Sequence, residues 1–566
     1  MTTRTLRRQE YLRRFSPWLA VAALTALAGS YPALAQDFPF FGFLPGNLVV
    51  SRSVYDNNPN NVIVGQTLPP NCVNTTANGD GCVTAKYNGI YPQVFNNAPI
   101  DSSFGITSKI FLDQITFFGF RLNSLQVPNG PQGDHLVTSF SSKSELGLHL
   151  SADGQYLTFM GYVLPIDALD VSNSNTPLEV DPSNPVPASV YRAVAQVDRN
   201  GKFQFTETNA YSGNNGRAAI LNNNGGADVF FTAGNAGNGS TPQPNGIILG
   251  AGAQIITPSR LSEASQSPTT PTPVASFSAT EISGNPADKI GKDDNFRGIA
   301  IYNNVLYYTK GSGGNGVNTV YFVDTVGGAC PNGVGVPQPG AKLPTMGLVY
   351  SLSTLQADGL PNNMCILGGF PTTSNKVKNF TPTHYPFAIW FANPATLYVA
   401  DEGDGYAGGT DLYTHAAAQT LAGLQKWVFD ASTKTWNLAY TLQNGLNLGT
   451  PYTVSGYPSG NNPGTATKAI PDGLPWSPAT DGLRNMTGQV LGDWVAIWAI
   501  TSTISGSGDQ GADPNKLVAI VDSLSNTDPT VAAKERFFTL QGAGFGEVLR
   551  GVSFAPGNFL DLGGNE

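Results

Sequence analysis

Short apolar segments alternate with turn residues along most of the chain. The segment NFRGIAIYNNVLYYTKGSGGNGVNTVYFVDT, residues 295–325, contains three apolar runs separated by turns rich in Asn and Gly. Runs of this length with such turns predict short β-strands joined as hairpins. Gly (65) and Pro (41) are abundant and charged residues make up only 12% of the chain, which disfavours helices. We therefore expect an all-β protein.

The hairpin pattern returns several times with a similar first strand. Matching segments begin near residues 145, 216, 296, 386, 483 and 549, and the last one is truncated. Their equivalent first-strand residues, separated by 72, 80, 90, 97 and 66 positions, are Glu145, Arg217, Arg297, Phe387, Arg484 and Arg550. Two further strands follow each full hairpin. Four antiparallel strands repeated around an axis are the plan of a β-propeller.

The truncated last repeat predicts how the ring closes. It supplies one strand after residue 549, and three unassigned strands lie near the N-terminus at 47–54, 108–115 and 120–127. Together these strands would form a sixth blade from both ends of the chain, which removes the open edges of the sheet array. We predict six blades, or seven if two repeats have been merged. A stack of β-sandwiches is the alternative, but it does not require the same first strand in every unit.

The first 35 residues predict an export signal. Five arginines precede the apolar run WLAVAALTALAG, and ALA at 33–35 is a small-residue cleavage site. The pair Arg7-Arg8 is compatible with the twin-arginine route, and Sec export is the other route; a membrane anchor would need a longer run. We expect a secreted or periplasmic protein with one propeller domain over 36–566, carrying a long insertion at about 56–105.

Charge limits the class of partner. The formal net charge is −9, and removal of five arginines and Glu10 with the export signal changes it to −13. Nucleic acid and anionic membranes require a positive surface, so we expect neither as a partner. An extracellular polymer, a small molecule or another protein remains open as the ligand, and we expect a monomer.

The four cysteines predict two disulfides, because their number is even and the chain is expected to be exported. Sequence proximity suggests the pairs Cys72–Cys82 and Cys330–Cys365 among three connectivities. Metal binding by these cysteines is a weaker alternative, because neither pair has CxxC spacing.

Five segments together resemble a known group of proteins. In chain order they are GNLVVSR, AYSGNNGR, TLYVADEG, GLQKWVF and LRGVSFAP. With these segments the chain is similar to secreted bacterial β-propeller proteins of largely unassigned function, and more distantly to phytase-like and lactonase-like six-bladed propellers. The resemblance covers most of the chain after the export signal and implies a propeller fold, but no particular reaction.

Four arginines are the first candidate site. A propeller places the start of its first strands around one mouth of the central channel, so we expect Arg217, Arg297, Arg484 and Arg550 to approach that mouth. Guanidinium groups present a planar fork that suits carboxylate or phosphate. An anionic ligand could therefore bind there. Alternatively, the protein itself supplies the anion, from Glu145, Asp293, Asp294, Asp481 or Glu547.

Acidic residues in the segment DEGDG form the second candidate site. Ca²⁺ prefers several oxygen ligands from flexible loops, and Asp401, Glu402 and Asp404 could provide them. The alternative is that these acids are solvated in an exposed turn. His384 lies in a loop that enters the same face and could act as a general acid or base if Asp401 or Glu402 were near.

These patterns support two functions from different classes. The first is a secreted binding or scaffold protein with an unknown ligand. The alternative is a Ca²⁺-dependent hydrolase of the phosphatase, phytase-like or lactonase type that acts at the channel mouth. In that enzyme the arginines would hold an anionic substrate and His384 would transfer protons. The fold hosts both roles, so whether the protein is an enzyme stays open at this point.

Overall fold

Strands dominate the structure, as the alternating sequence predicts. The computed structural model describes the following residues: 40–63, 67–68, 83–84, 106–130, 135–169, 171–178, 189–224, 228–235, 252–262, 272–275, 295–311, 316–348, 363–373, 383–462, 473–507 and 510–557. The segment predicted to be an export signal lies outside these residues, as do Cys72, Cys82, Asp293 and Asp294. The predictions made for them stay predictions.

Twenty-eight strands occur in the described residues. They are β1 (Leu48–Val54), β2 (Thr67–Leu68), β3 (Val83–Thr84), β4 (Thr107–Ile115), β5 (Arg121–Gln126), β6 (Leu136–Ser139), β7 (His149–Leu150), β8 (Tyr156–Val163), β9 (Arg192–Asp198), β10 (Phe203–Thr208), β11 (Gly216–Asn222), β12 (Val229–Gly234), β13 (Ala253–Ile256), β14 (Thr272–Pro273), β15 (Ile299–Tyr302), β16 (Val305–Lys310), β17 (Thr319–Val323), β18 (Val334–Gly335), β19 (Met364–Leu367), β20 (Pro386–Asn393), β21 (Thr396–Asp401), β22 (Gly423–Asp430), β23 (Thr435–Leu442), β24 (Ala479–Leu491), β25 (Trp494–Ile504), β26 (Lys516–Ser523), β27 (Phe538–Gly542) and β28 (Glu547–Phe554). The helices are short: α1 (Leu412–Ala417), α2 (Pro529–Ala532) and two 3₁₀ turns, Val171–Asn173 and Gln510–Ala512.

The strands form a β-propeller. Four blades are separate sheets: β11–β14 (blade 3), β15–β19 (blade 4), β20–β23 (blade 5) and β24–β27 (blade 6). Four separate blade sheets are fewer than the six blades predicted, because the other blade strands belong to one nine-stranded sheet. That sheet contains two four-stranded groups, β28-β1-β4-β5 (blade 1) and β7-β8-β9-β10 (blade 2), joined through β6. Six blades result when each group is counted as one.

The first strands of the six blades form a closed cycle. β28 contacts β7, β7 contacts β11, β11 contacts β15, β15 contacts β20, β20 contacts β24, and β24 contacts β28. Apolar clusters fill the interfaces between blades, for example around Tyr398 and Ile497 between blades 5 and 6, and around Trp498 and Leu549 between blades 6 and 1. Burial of these side chains holds neighbouring blades together.

Blade 1 joins the two ends of the described chain, as the sequence predicts. β1 pairs with β28 in antiparallel register, with Leu48 opposite Phe554 and Val54 opposite Glu547. Arg52 crosses this blade, and its guanidinium lies 2.7 Å from Asp113 on β4 and 2.5 Å from Glu547 on β28. The ring is therefore closed by the backbone hydrogen bonds between β1 and β28 together with a partly buried ion-pair network.

The β15–β16 hairpin shows how local sequence determines the turns. Tyr302 pairs with Val305, which leaves a two-residue turn at Asn303 and Asn304. Both asparagines have positive φ, 47° and 58°, a conformation that Asn tolerates better than most residues.

A disulfide joins Cys330 to Cys365 in blade 4, which confirms that predicted pair. The bond crosses 35 positions of sequence and fixes the segment around β18 to β19. In the described part of the chain, no helix is long and apolar enough to cross a membrane.

Candidate functional site

One face of the propeller gathers the segments that precede the first strands and the loops between second and third strands. Loop 401–405 of blade 5 meets loop 510–512 of blade 6, where Gln510 Nε2 donates to Gly405 O at 3.1 Å. Gly511 packs so closely on the backbone of Ser141, before blade 2, that a Cβ there would lie 1.7 Å from the Ser141 oxygen. We call this face the loop pole.

The four predicted arginines lie at the loop pole and are all buried. Two of them are held by backbone carbonyls. Arg550 donates through three nitrogens to Ser53 Oγ at 3.2 Å, to Ser142 O at 2.6 Å and to Phe140 O. Arg217 donates to Asn295 Oδ1 and, at 2.6 Å, to Phe296 O, while its Nε is buried without an acceptor in the described residues.

The other two arginines face a single carboxylate, Glu402. Arg484 Nε donates to Glu402 Oε2 at 3.3 Å, and Arg297 Nε lies 3.9 Å from Glu402 Oε1. Lys143, which reaches over from the segment before blade 2, places its Nζ 3.8 Å from Glu402 Oε2. We call Lys143, Arg297, Glu402 and Arg484 the axial cluster.

The axial cluster is held rigidly and lies just inside the surface. The backbone of Glu402 is fixed on both sides, because its N–H donates to Tyr385 O at 3.0 Å and its carbonyl accepts from Ser502 Oγ at 2.6 Å. The Glu402 side chain is 3% exposed and that of Arg297 7%, whereas 31% of Lys143 is exposed. Lys143 is therefore the member that solvent reaches first.

Positive charge exceeds negative charge in the axial cluster. Burial raises the pKa of Glu402, but Lys143, Arg297 and Arg484 together bring this pKa below its usual value, so the carboxylate is ionised. Glu402 raises the pKa of Lys143, yet burial and the two arginines outweigh it and lower the pKa overall. Burial, followed by the repulsion from Arg484, lowers the pKa of Arg297 although Glu402 opposes this. Within the axial cluster one carboxylate faces three cations; Asp481, which also raises the pKa of Lys143, and Asp513, whose pKa Arg484 lowers, add negative charge outside it.

Much of the hydrogen-bonding capacity of these cations is unused. Among the described residues, the side chains of Arg297 and Lys143 donate no hydrogen bond, and the side chain of Arg484 donates only through Nε. Glu402 Oε1 and Arg297 Nε are buried and have no hydrogen-bond partner there. The contrast is with Arg192, a fully buried arginine whose three nitrogens all donate to oxygens. Open guanidinium donors thus occur at the loop pole and not at every buried arginine.

The three acids predicted to bind Ca²⁺ point to different partners. Asp401 accepts from Tyr385 N at 2.7 Å and from Gln425 Nε2 at 3.0 Å, while Glu402 faces the cations. Asp404 Oδ2 lies 2.6 Å from His415 Nε2. Within the described residues, one group of three potential metal ligands has its atoms within 4.8 Å, namely Asp324, Cys330 and Cys365, and both cysteines are disulfide-bonded.

Two further carboxylates support the loop that carries Glu402. Asp401 accepts from Gly403 N at 3.0 Å, and Asp481 accepts from Gly405 N at 2.9 Å. Burial raises the pKa of each of these acids to about 7. A Cβ on Gly403 would lie 2.6 Å from Asp481 Oδ2, so only glycine fits between the two acids. Asp401 and Asp481 thus fix the position of the loop, and because they act as acceptors they add no unused hydrogen-bond donor to the site.

His384 lies beside this support. Its Nδ1 is 3.4 Å from Gln425 Nε2, which in turn donates to Asp401, so Gln425 stands between the histidine and the acid. Burial lowers the pKa of His384. Its predicted role in proton transfer stays a prediction.

Sequence reasoning missed Lys143 as a member of the site. The residue lies two positions before Glu145, the blade 2 equivalent of the arginines, and this position in the repeat is the signal that could have identified it. Glu145 itself accepts from Tyr162 OH at 2.5 Å and from Thr138 Oγ1 at 2.7 Å. The carboxylate that faces Arg297 and Arg484 is instead Glu402, which the sequence had suggested as a metal ligand.

Comparisons with known proteins give no family for this chain. No family model matches it, and no curated protein matches it. Solved structures that align with it include a GH74 enzyme from Niastella koreensis, at 10% identity and a TM-score of 0.25 over 76% of this chain and 52% of the other. A proposed 6-phosphogluconolactonase from Bacteroides fragilis aligns at 10% identity and a TM-score of 0.30 over 93% and 99%. An exo-1,5-α-L-arabinanase from a bovine ruminal metagenomic library aligns at 11% identity and a TM-score of 0.22 over 59% and 95%.

These alignments carry no argument about the site. The chain spans 52% of the length of the GH74 enzyme, and all three identities are 10% or 11%.

Proposed function

We propose that this protein is a β-propeller binding protein whose ligand carries an anionic oxygen group, held at the loop pole by Lys143, Arg297 and Arg484. The observation that carries the proposal is the set of open donors: three cations surround one carboxylate, and the guanidinium of Arg297 donates no hydrogen bond in the described part of the chain. A buried cation with unused donors is costly unless an anion or acceptor satisfies it.

The chemistry of the cations agrees with such a ligand. A guanidinium binds a carboxylate or phosphate through two parallel hydrogen bonds, and these charge-assisted bonds are stronger than neutral ones. The bulk of the protein is acidic, so a positive site in one place would select an anion without attracting polyanions over the whole surface. Export is part of the proposal, supported by the predicted signal and by the Cys330–Cys365 disulfide.

Isothermal titration calorimetry with small anions tests the proposal. The probes are sodium acetate and sodium phosphate, each titrated into the full chain at low ionic strength. Lys143→Met should weaken binding about tenfold or more, because one charge-assisted hydrogen bond contributes about 1.5–3 kcal/mol. This variant should fold normally, since Lys143 is partly exposed and donates no hydrogen bond in the described residues.

The matched control is Arg260→Met. Arg260 is 89% exposed and lies 3.8 Å from Asp228, so its replacement removes a positive charge away from the axial cluster. We expect unchanged anion binding in this variant. Equal weakening by both substitutions would show that the anion responds only to overall charge, and the proposed site would then be wrong.

A further inference from the structure

The first strands come together directly beneath the axial cluster. The residue that directly follows the equivalent first-strand position is buried in five blades, namely Ala218, Gly298, Ala388, Asn485 and Gly551. In blade 2, Leu146 and Gly147, the two residues that follow Glu145, are both buried. An open channel along the axis would expose them to solvent. The site at the loop pole is therefore a cup with a floor and not one end of a continuous tunnel.

Small residues allow the strands to approach this closely. A Cβ at Gly147 would lie 3.3 Å from both Ala218 Cβ and Asn485 Oδ1. A Cβ at Gly298 would lie 2.4 Å from Phe387 O, which no side chain tolerates without movement of the backbone. Close approach of neighbouring backbones is thus built into the sequence of the first strands.

Hydrogen bonds between blades fasten the floor. Gly147 N donates to Arg217 O at 3.1 Å, which joins blade 2 to blade 3. Asn485 Nδ2 donates to Arg550 O at 2.9 Å, which joins blade 6 to blade 1. Thr309 Oγ1 donates to Phe387 O at 2.6 Å, which joins blade 4 to blade 5. These bonds hold neighbouring first strands close together around the axis, which keeps the residues of the floor buried.

Access from above is narrow as well. Loop 510–512 bridges loop 401–405 and the backbone near Ser141, so three blades meet over one side of the cup. Lys143 is 31% exposed, whereas the side chain of Arg484 below it is 4% exposed. Among the described residues of the axial cluster, Lys143 is the most exposed, so a ligand that enters past it would bring its leading group to the arginines first.

We propose that the axial cluster binds a compact oxyanion group at the end of a molecule and excludes anionic groups in the interior of a linear polymer. This inference rests on the proposed function and specifies its ligand: a terminal carboxylate or a phosphate monoester fits a blind cup. A chain that continues on both sides of its charged group does not fit, because one side would have to pass the floor.

Competition between free and blocked anions tests the inference. Calorimetry on the full chain compares propionate with its methyl ester, and methyl phosphate with dimethyl phosphate, which keeps a charge but continues on both sides. It also compares propionate with polygalacturonate at equal concentration of carboxylate. We expect binding of the free termini, no binding of the methyl ester, and affinities at least tenfold weaker for dimethyl phosphate and, per carboxylate, for the polymer. If propionate binds more tightly than methyl phosphate, the ligand group is a carboxylate; if methyl phosphate binds more tightly, it is a phosphate.

The outcomes separate the two proposals. If propionate and methyl phosphate both fail to bind, the proposed function and this inference are overturned together. If they bind but dimethyl phosphate and the polymer bind as tightly, the anion site stands and end-on recognition is wrong. Lys143→Met should reduce all binding that the wild type shows, whereas Arg260→Met should change none of it.

Discussion

Replacement of each pole arginine by methionine would separate structural arginines from ligand-binding ones. Methionine keeps an unbranched apolar side chain and fills space adaptably, so the substitution mainly removes charge and hydrogen bonds. The four positions are equivalent in the repeat, and all four side chains are buried. They differ in the number of hydrogen bonds that they donate.

The structure predicts different changes in the free energy of unfolding for Arg550→Met and for Arg297→Met, the two extremes of the series. Arg550 donates to three oxygens that would remain buried after its removal, two of them backbone carbonyls. At about 1–3 kcal/mol for each of the three acceptors left unsatisfied, Arg550→Met should lower the free energy of unfolding by about 3–9 kcal/mol. The Arg297 side chain donates no hydrogen bond to the described residues, and the carboxylate oxygen that it faces is 3.9 Å away. Arg297→Met should leave stability unchanged or raise it by about 1–2 kcal/mol, because it removes a buried charge that is poorly compensated.

Urea unfolding followed by tryptophan fluorescence measures these differences, provided that the slope m stays constant across the series. Arg217→Met and Arg484→Met should fall between the two ends, with two and one hydrogen bonds lost. The same variants titrated with acetate should show the opposite order, with anion binding lost in Arg297→Met. If Arg297→Met proves as destabilising as Arg550→Met, Arg297 is a structural residue and the reasoning from its open donors is refuted.

Three other measurements bear on the metal, the disulfide and the acids. Thermal unfolding in about 1 mM Ca²⁺ should match that in chelator, because the predicted ligands face different partners; a rise in the midpoint that Asp401→Ala abolishes would instead support the hydrolase. Cys365→Ser should lower the free energy of unfolding by about 4 kcal/mol, the loop-entropy value for 35 residues; a change below about 1 kcal/mol would contradict it. Stability should fall as pH rises from about 4 to 7, because the folded chain keeps protons on Asp401 and Asp481 that the unfolded chain has released. Asp481→Asn should flatten that pH profile, and an unchanged slope would show that burial does not hold its proton.

Strand positions and ring closure were accessible from the sequence. The predicted strand at 108–115 is Thr107–Ile115 in the structure, and the predicted strand at 120–127 is Arg121–Gln126. Period-two alternation and turn residues are local signals, and they set both the hairpins and their ends. The separation into sheets was not accessible, because the joining of blades 1 and 2 depends on β6, a four-residue strand that belongs to neither repeat.

The membership of the axial cluster depends on contacts between distant blades. Asp401, Glu402 and Asp404 are close in sequence, which suggested one shared metal. Successive residues at the end of a strand point to opposite sides, so Asp401 and Glu402 meet different neighbours. Lys143 reaches Glu402 from 259 positions earlier in the chain, a contact that no local pattern specifies.

The pairing of β1 with β28 has a consequence for how the chain matures. Arg550 and Ser53, hydrogen-bonded partners in blade 1, are 497 residues apart in sequence. The chain leaves a ribosome or a translocation pore with its N-terminal end first. The edge of β1 that pairs with β28 therefore has no partner until nearly all of the chain has emerged. During that interval the waiting edge is a template for pairing with other chains. A chaperone that shields residues 48–54 until β28 arrives would therefore raise the yield of folded protein.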